Sequence, residues 1–361
     1  MKNKPFISLA MLALGCEPLV TTFDEVEPAV YYEAASITEV AAPDTLLVMT
    51  WNIKFGGGDI NFWFDCHGER VIMTETEVLG NMQALAAKIR ELDPDILLLQ
   101  EVDISSKRSA YVDQLQLLLD NTSLNYGAFA SMWQVQYIPS EGLGRMNTGQ
   151  AVLSKWDVAD AQRIPLELIG DQDALTQYFY LRRNILRATT TVPGIGNIEI
   201  LSIHAAAFST DGTKKKHIDR FKLELDQLHS AGVTFFAGGD LNTLPPGSTQ
   251  LNNFDDSVCE AEEFQAADDH SEEVDWLNEF YADFPGGYFP AVPLADYLAN
   301  NSAYFSHSTD PVEGYKRKLD YIFTNSSAGW VGGSHRTHQE IASASGALSD
   351  HCPVTVQWVA P

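Results

Sequence analysis

Val233-Thr-Phe-Phe-Ala-Gly-Gly-Asp240, running on into Leu241-Asn242, is the stretch whose reading decides the fold. Its first half is β-branched and aromatic, a short apolar run without polar alternation, as expected of a strand buried on both faces. The two glycines then break the strand and leave Asp240 and Asn242 at its mouth. The same pattern recurs along the chain. Thr45–Ile53 is apolar, carries Asn52 near its end and stops at Gly56-Gly57-Gly58. Asp95–Glu101 ends in a carboxylate, and the strand at 197–204 ends in His204. Asp320 lies in Leu319–Phe323, while Asp350 and His351 directly precede the strand Val354–Trp358. Further strands are expected near 126–137, 148–154 and 178–192. Helical spacing of apolar residues predicts helices over Thr76–Leu92, closed by Pro94, over Ser109–Leu119 and over Lys214–Leu228. Many strands interrupted by few helices favour two packed sheets with helices outside.

The chain has 361 residues, 45% of them hydrophobic and 20% charged, which is the composition of a globular protein rather than a disordered one. Lys and Arg total 23 against 49 Asp and Glu, a formal charge of −26. That charge argues against broad attraction to phosphate backbones but leaves room for a locally positive or metal-bearing pocket. No run of about 20 apolar residues exists to span a bilayer.

A carboxylate at the mouth of a buried strand must be solvated, paired or bound to metal. One is unremarkable. Glu101, Asp240, Asp320 and Asp350, with Asn52, Asn242, His204 and His351, all at strand ends, suggest a single site assembled from distant segments. The blocks Thr50-Trp-Asn-Ile53, Leu99-Gln-Glu-Val102, Gly149-Gln-Ala-Val-Leu-Ser154, Ser202-Ile-His204, Gly238-Gly-Asp-Leu-Asn242, Leu319-Asp-Tyr-Ile322 and Ser349-Asp-His351 span about 45–359. In kind and order they resemble the endonuclease/exonuclease/phosphatase superfamily of metal-dependent phosphoesterases.

The resemblance implies a four-layer α/β/β/α sandwich with the site at one edge of the stacked sheets. It implies a Mg²⁺-dependent hydrolase of phosphate esters, with Mn²⁺ as an alternative ion and the number of ions, one or two, left open. Glu101 would be the principal metal ligand and Asp350 the second, with Asn52 helping to hold the ion. Asp240 would align or deprotonate the attacking water and Asn242 would orient the phosphate. His351 would contact the phosphate or move a proton, with Asp320 holding its ring, and His204 would be the second phosphate-side histidine. Each residue also has a plainer reading: Asn52, Asp240 and Asn242 as turn formers, Glu101 as a buried structural acid, His204 as a core histidine, Asp320 as a partner of Arg317 or Lys318.

The N-terminus reads as targeting sequence. Lys2 and Lys4 precede an apolar run over Pro5–Gly15 that ends in Leu12-Ala-Leu-Gly-Cys16. This resembles the lipobox of bacterial lipoproteins and implies a signal peptide over 1–15 and lipidation of Cys16. The protein would then be an envelope or extracellular protein held to the membrane through its lipid alone. The stretch 16–44, with seven acids and no Lys or Arg, reads as a solvated acidic tether, and 45–361 as the domain. Cys66, Cys259 and Cys352 allow one disulfide whose pairing the sequence does not give. Asp255–Asp283 holds twelve acids and no Lys or Arg, and reads as a surface insertion with a solvated acidic face.

Eleven of the 23 basic residues fall between Arg145 and Lys222, and Lys316-Arg317-Lys318 adds three before Asp320. These either ring the mouth of the site or lie on solvated loops and helix starts; Arg145 is the candidate substrate contact. Trp51, Phe62, Trp63 and Phe64 are read as core or as an apolar rim. The substrate classes left open are nucleic acid, a phospholipid head group and a sugar or inositol phosphate. A phosphodiesterase leads, a phosphomonoesterase and a non-catalytic binding module that keeps the fold are the alternatives, and a monomer is expected.

Overall fold

The structure is a computed structural model that describes residues 19–360 apart from 24, 66–67, 208, 258–268, 284–285 and 345. The expected signal peptide over 1–15, Cys16, Cys66, Cys259 and the middle of the acidic insertion lie outside the described residues.

In chain order the strands are β1 (Glu27–Pro28), β2 (Val30–Glu33), β3 (Thr45–Asn52), β4 (Ile96–Asp103), β5 (Tyr126–Ile138), β6 (Gly144–Ser154), β7 (Val158–Pro165) and β8 (Asn184–Val192). They continue with β9 (Gly196–His204), β10 (Phe235–Asp240), β11 (Phe289–Pro290), β12 (Asp320–Thr324), β13 (Arg336–Thr337), β14 (Ala342–Ser343), β15 (Gly346–Ala347) and β16 (Val354–Val359). The helices are α1 (Glu75–Leu92), α2 (Gln114–Asp120), α3 (Ala174–Phe179), α4 (Thr213–Ser230) and α5 (Leu294–Ala299).

Two seven-stranded sheets form the body, ordered β13-β16-β3-β4-β6-β5-β2 and β1-β7-β8-β9-β10-β12-β11. Side-chain alternation along β3 shows why its sequence is apolar on both faces. Leu46 and Val48 enter the layer between the sheets with Ile200, Phe236 and Ile322, whereas Met49 and Trp51 face outward under Met82, Leu85 and Ile89 of α1. On the far side, Ile218, Phe221 and Leu225 of α4 cover Leu201, Ile203 and Phe235. The result is the four-layer α/β/β/α sandwich expected from the sequence. Helix α1 begins where its caps dictate: the Thr74 side chain accepts from the Glu77 amide and the Glu77 carboxylate accepts from the Thr74 amide, a reciprocal capping box.

Register delivers the strand ends to one edge. Asp240 on β10 sits opposite His204 on parallel β9 and opposite Asp320 on antiparallel β12. In the other sheet Asn52 on β3 sits opposite Gln100 on β4. The Gly238-Gly239 pair is required here, since a Cβ on Gly238 would lie 1.9 Å from the Tyr321 carbonyl oxygen and one on Gly239 (φ +131°) 2.1 Å from that of Ile203.

The structure departs from the sequence reading in four places. The expected tether is not free of the domain: β1 pairs with β7, β2 pairs with β5, and Val20 is buried in a bridge with Val135. Two exposed sheet edges are covered this way, which outweighs the polar composition of the segment. The helix expected over Ser109–Leu119 starts only at Gln114, because Asp113 caps it by accepting from the Gln116 amide. The strand expected over 178–192 is a short helix capped by Asp173, then β8. Val158–Pro165 is a strand that the sequence reading passed over.

Candidate active site

The outermost residues of β3, β9, β10 and β12, together with the register break inside β4 and the turn before β16, surround a cavity of about 170 Å³. Glu101, His204, Asp240, Asn242, Asp350 and His351 line it. Asn52 and Asp320 stand behind that lining. Asn52 donates from Nδ2 to Glu101 Oε1 at 3.1 Å and to Asp240 Oδ2 at 3.2 Å, so one amide ties the two sheets together at the site. Glu101 sits at a break in register between Leu99 and Val102 with φ +56°, a turn that swings its carboxylate out of the sheet and into the cavity.

His351 is gripped from two sides. Its Nδ1 lies 2.8 Å from Asp320 Oδ2, and its Nε2 faces Asp240 Oδ2 at 3.6 Å. The loop that carries it is fixed by Trp51, whose indole N–H donates to the His351 carbonyl at 2.8 Å, and by Ser349, whose hydroxyl donates to the Asn52 carbonyl at 2.8 Å. Burial alone would strip the proton from the His351 ring, but Asp320 and Asp240 outweigh it and raise its pKa to about 10. Asp240, 1% exposed, is pushed up to about 7, mainly by burial. Its Oδ1 accepts from the Asn242 amide at 3.0 Å.

His204 is the opposite case. Burial, then the nearby Arg183 and His351, hold it well below the ordinary imidazole value, so it is neutral. Its Nε2 faces Asp240 Oδ2 at 3.4 Å and Glu101 Oε1 at 4.0 Å, which assigns the proton to that nitrogen. One histidine is thus positive and the other neutral, both against the same carboxylate.

Glu101 and Asp350 make the acidic wall. The Glu101 carboxyl is raised by enclosure in protein and by the charge of Asp350, although a quarter of its side chain reaches the cavity. A carboxyl raised by burial and by a neighbouring carboxylate, in a wall of hard oxygen donors, is chemistry a divalent cation such as Mg²⁺ would relieve. The residues therefore fit such an ion. A different set has the tighter geometry: among the described residues, ligand atoms of Asp240, Asp320 and His351 lie within 4.8 Å of one another. That set is already joined internally by the Asp320–His351 bond, and a protonated imidazole has no lone pair for a metal.

Several participants were missed by the sequence reading. Lys54, 3% exposed, places its ammonium 3.0 Å from Asp65 Oδ2 and 3.7 Å from Asp350 Oδ2. Only its position two residues after Asn52 signals this. Arg183 lines the cavity and donates to the His204 carbonyl at 3.2 Å. Against His351 lies the ring of His307, 4.5 Å away between centroids. The acidic insertion is not simply a solvated face: Glu273 bonds Lys214 at 2.7 Å and His270 at 2.8 Å, and Asp256 holds Arg317 through two bonds of 2.8 and 2.9 Å. These pairs are buried beside the cavity, which Ser257 and His270 from the described ends of the insertion line together with Arg317.

The basic runs divide accordingly. Lys214 points inward and also bonds the Asn242 carbonyl at 2.9 Å, while Lys215 pairs with Asp219 on the exposed face of α4. Lys318 donates to the main-chain oxygen of Asp320 at 2.7 Å, leaving the carboxylate to His351. Arg145 is exposed at the start of β6 and does not line the cavity. Of the aromatic group, Trp51 and Phe62 are core, Phe64 reaches the cavity, and Trp63 is exposed.

Residues 49–351 match the model of the Endonuclease/Exonuclease/phosphatase family. The chain is similar in structure to an endonuclease/exonuclease/phosphatase from Beutenbergia cavernae DSM 12333, with a TM-score of 0.54 and 19% identity, covering 88% of this chain and 72% of that one. It is also similar to the human Nocturnin catalytic domain with bound sulfate anion, with a TM-score of 0.52 and 15% identity, covering 92% of this chain and 98% of that one. At these identities the likeness is one of fold. No curated protein matches the sequence.

Proposed function

The chain belongs to the endonuclease/exonuclease/phosphatase family, and from that premise we propose that it is a divalent-metal-dependent phosphoester hydrolase acting on diesters. The observation that carries this reading is the pairing of a buried, cationic His351 with Asp320 on one side and Asp240 on the other. A phosphoryl group placed between His351 and the Glu101–Asp350 wall meets positive charge on one flank and two oxygen ligands for a cation on the other.

Asp240 takes the proton of the attacking water. Its carboxylate lies between two histidines, and a value raised to about 7 suits a base that works near neutral pH. The Asn242 side chain donates to the Ala205 carbonyl at 3.1 Å, which fixes it beside the phosphate. His351 donates from Nε2 to a phosphoryl oxygen, and neutral His204 donates from its own Nε2 to a second. As the water oxygen bonds to phosphorus, the ester bond opposite breaks and its oxygen leaves as an alcohol on taking a proton from solvent water, while Asp240 returns to solvent the proton it accepted. Glu101 and Asp350, with Asn52 steadying Glu101, would hold the divalent ion, which when bound would neutralise phosphoryl charge.

The same proposal takes in the N-terminus. Leu12-Ala-Leu-Gly-Cys16 supports export and lipidation of Cys16, so that the domain works at the outer side of a membrane, a monomer held there by its lipid. The test of the activity is hydrolysis of bis-p-nitrophenyl phosphate and p-nitrophenyl phosphate with Mg²⁺ or Mn²⁺, and with a chelator. The expected result is chelator-sensitive turnover of the diester. Turnover of the monoester alone would make the protein a phosphatase, and turnover of neither would make it a binding module.

A further inference from the structure

Beside the catalytic cavity lies a second one of about 360 Å³, lined among others by Arg163, Arg182 and Arg183. Arg183 lines both cavities, so they share a wall. We propose that this arginine-walled cavity is a subsite for a second phosphate of the substrate, next to the one that is cleaved. This rests on the hydrolase reading and extends it to a substrate class: esters that carry at least two phosphates.

Three observations support it. First, all three guanidinium side chains are more than nine-tenths buried, at 2%, 8% and 7% exposure. Second, none of them makes an ion pair among the described residues. Arg163 donates to the main-chain oxygens of Ser131 and Arg182, and Arg183 to that of His204. The buried Nε of Arg182 has no hydrogen-bond partner. Buried charges are ordinarily paired. In a chain of net charge −26, where nearly every other buried base has its acid, three unpaired arginines together form an anion site.

The surrounding charge agrees. Burial lowers Arg163 to about 10, Glu27 opposes that and Arg182 reinforces it, so the two cations repel. Arg183 is lowered by burial, against which Tyr180 and then Asp240 and Glu101 act, without any of them forming an ion pair with it among the described residues. Glu167 lines the second cavity but is exposed and faces Lys216 at 3.8 Å.

Third, topology puts the pocket where a substrate would extend. β8 starts and β7 ends at the edge of the sheet where β9 delivers His204. Arg182-Arg183 precede β8, and two strand spacings, about 10 Å, separate β9 from β7. Thr22 and Phe23 form the outer rim, and the Phe23 ring lies 4.3 Å from the Arg163 guanidinium. A phosphate with oxygens to spare matches guanidinium forks, which bind such groups through paired bonds.

The test begins with calorimetric titration of metal-free protein with inorganic pyrophosphate. Binding is expected in the wild type, at least tenfold weaker in Arg182→Gln, and lost in Thr22→Glu, an exposed position that would place a carboxylate at the rim. Arg182→Lys is expected to recover part of the affinity. Equal affinity in all four proteins, or none in the wild type, would overturn the subsite, as would a lowered melting temperature in Arg182→Gln with unchanged affinity. Kinetics then separate the sources of the second phosphate. The ratio of KM for thymidine dinucleotide with and without a 5′-phosphate is compared with the ratio for inositol bisphosphate and monophosphate. A ratio altered by Thr22→Glu in the first pair assigns a nucleic-acid strand, and in the second a small phosphorylated alcohol. A ratio unaltered in both overturns the subsite. Absence of all hydrolysis would refute the hydrolase reading instead, and the pyrophosphate titration would still decide on the pocket.

Discussion

His351 and Asp320, 31 residues apart in sequence, are joined by a 2.8 Å bond between Nδ1 and Oδ2, with both side chains at or below 5% exposure. The bond fixes the ring so that Nε2 points toward the cavity and Asp240. It also keeps the ring protonated despite a burial that would otherwise remove the proton. Asp320→Asn keeps the shape but removes the charge. The rate on bis-p-nitrophenyl phosphate is expected to fall about 100-fold, within the range general for a positioned proton donor. An unchanged rate across pH 5–9 would contradict the pairing.

Glu101 shares its cavity with Asp350, and burial together with the Asp350 charge raises the proton affinity of Glu101. Glu101→Gln relieves that repulsion and keeps an oxygen for the Asn52 amide. Metal-free protein is expected to melt at the same temperature as wild type or higher. The rise in melting temperature that Mg²⁺ gives the wild type is expected to be lost, since binding to the native state is the source of that rise. Thermal melts with and without the ion measure both. An undiminished Mg²⁺ effect would remove Glu101 from the ligand set.

His217 on α4 accepts from the Ala206 amide at Nδ1 and meets the Glu167 carbonyl at Nε2, 2.7 Å away. The ring must therefore be neutral with its proton on Nε2. Burial, chiefly, lowers its pKa from 6.5 to about 4. A lowered histidine stabilises the fold above the unfolded value and loses that contribution as pH falls. The stability involved is on the order of 3 kcal/mol, present above about pH 6.5 and progressively lost toward pH 4. His217→Gln is expected to flatten this part of the pH dependence in urea unfolding measured at pH 7 and pH 4.5. An equal slope in wild type and variant would contradict it.

Lipidation is expected at Cys16 alone. Metabolic labelling with radioactive palmitate in a bacterial host should mark the full chain and not Cys16→Ser. Equal labelling of both, or of neither, would refute the anchor.

Strand ends were legible because burial on both faces forces a continuous apolar run, and a polar residue that ends such a run stands out. Asn52, Glu101, His204, Asp240 and Asp320 were found that way, and register then placed His204, Asp240 and Asp320 side by side. Other features depend on tertiary contacts that leave no local pattern. Lys54 carries no sign that its ammonium reaches Asp65 and Asp350. Arg183 looked like any base in a basic stretch, whereas Arg145, singled out instead, lies exposed on β6. The acids of the insertion looked solvated because their partners, Lys214 and Arg317, come from elsewhere in the chain. The segment before β3 looked like a tether because strands that only cover an edge need little apolar sequence of their own.

The most direct measurement is the anomalous difference map of a crystal soaked in Mn²⁺. A single strong peak within bonding distance of oxygens from both Glu101 and Asp350, with His351 left bonded to Asp320, is the expected result. A peak among Asp240, Asp320 and His351 instead, or no peak at millimolar Mn²⁺, would contradict the arrangement on which the proposed hydrolysis depends.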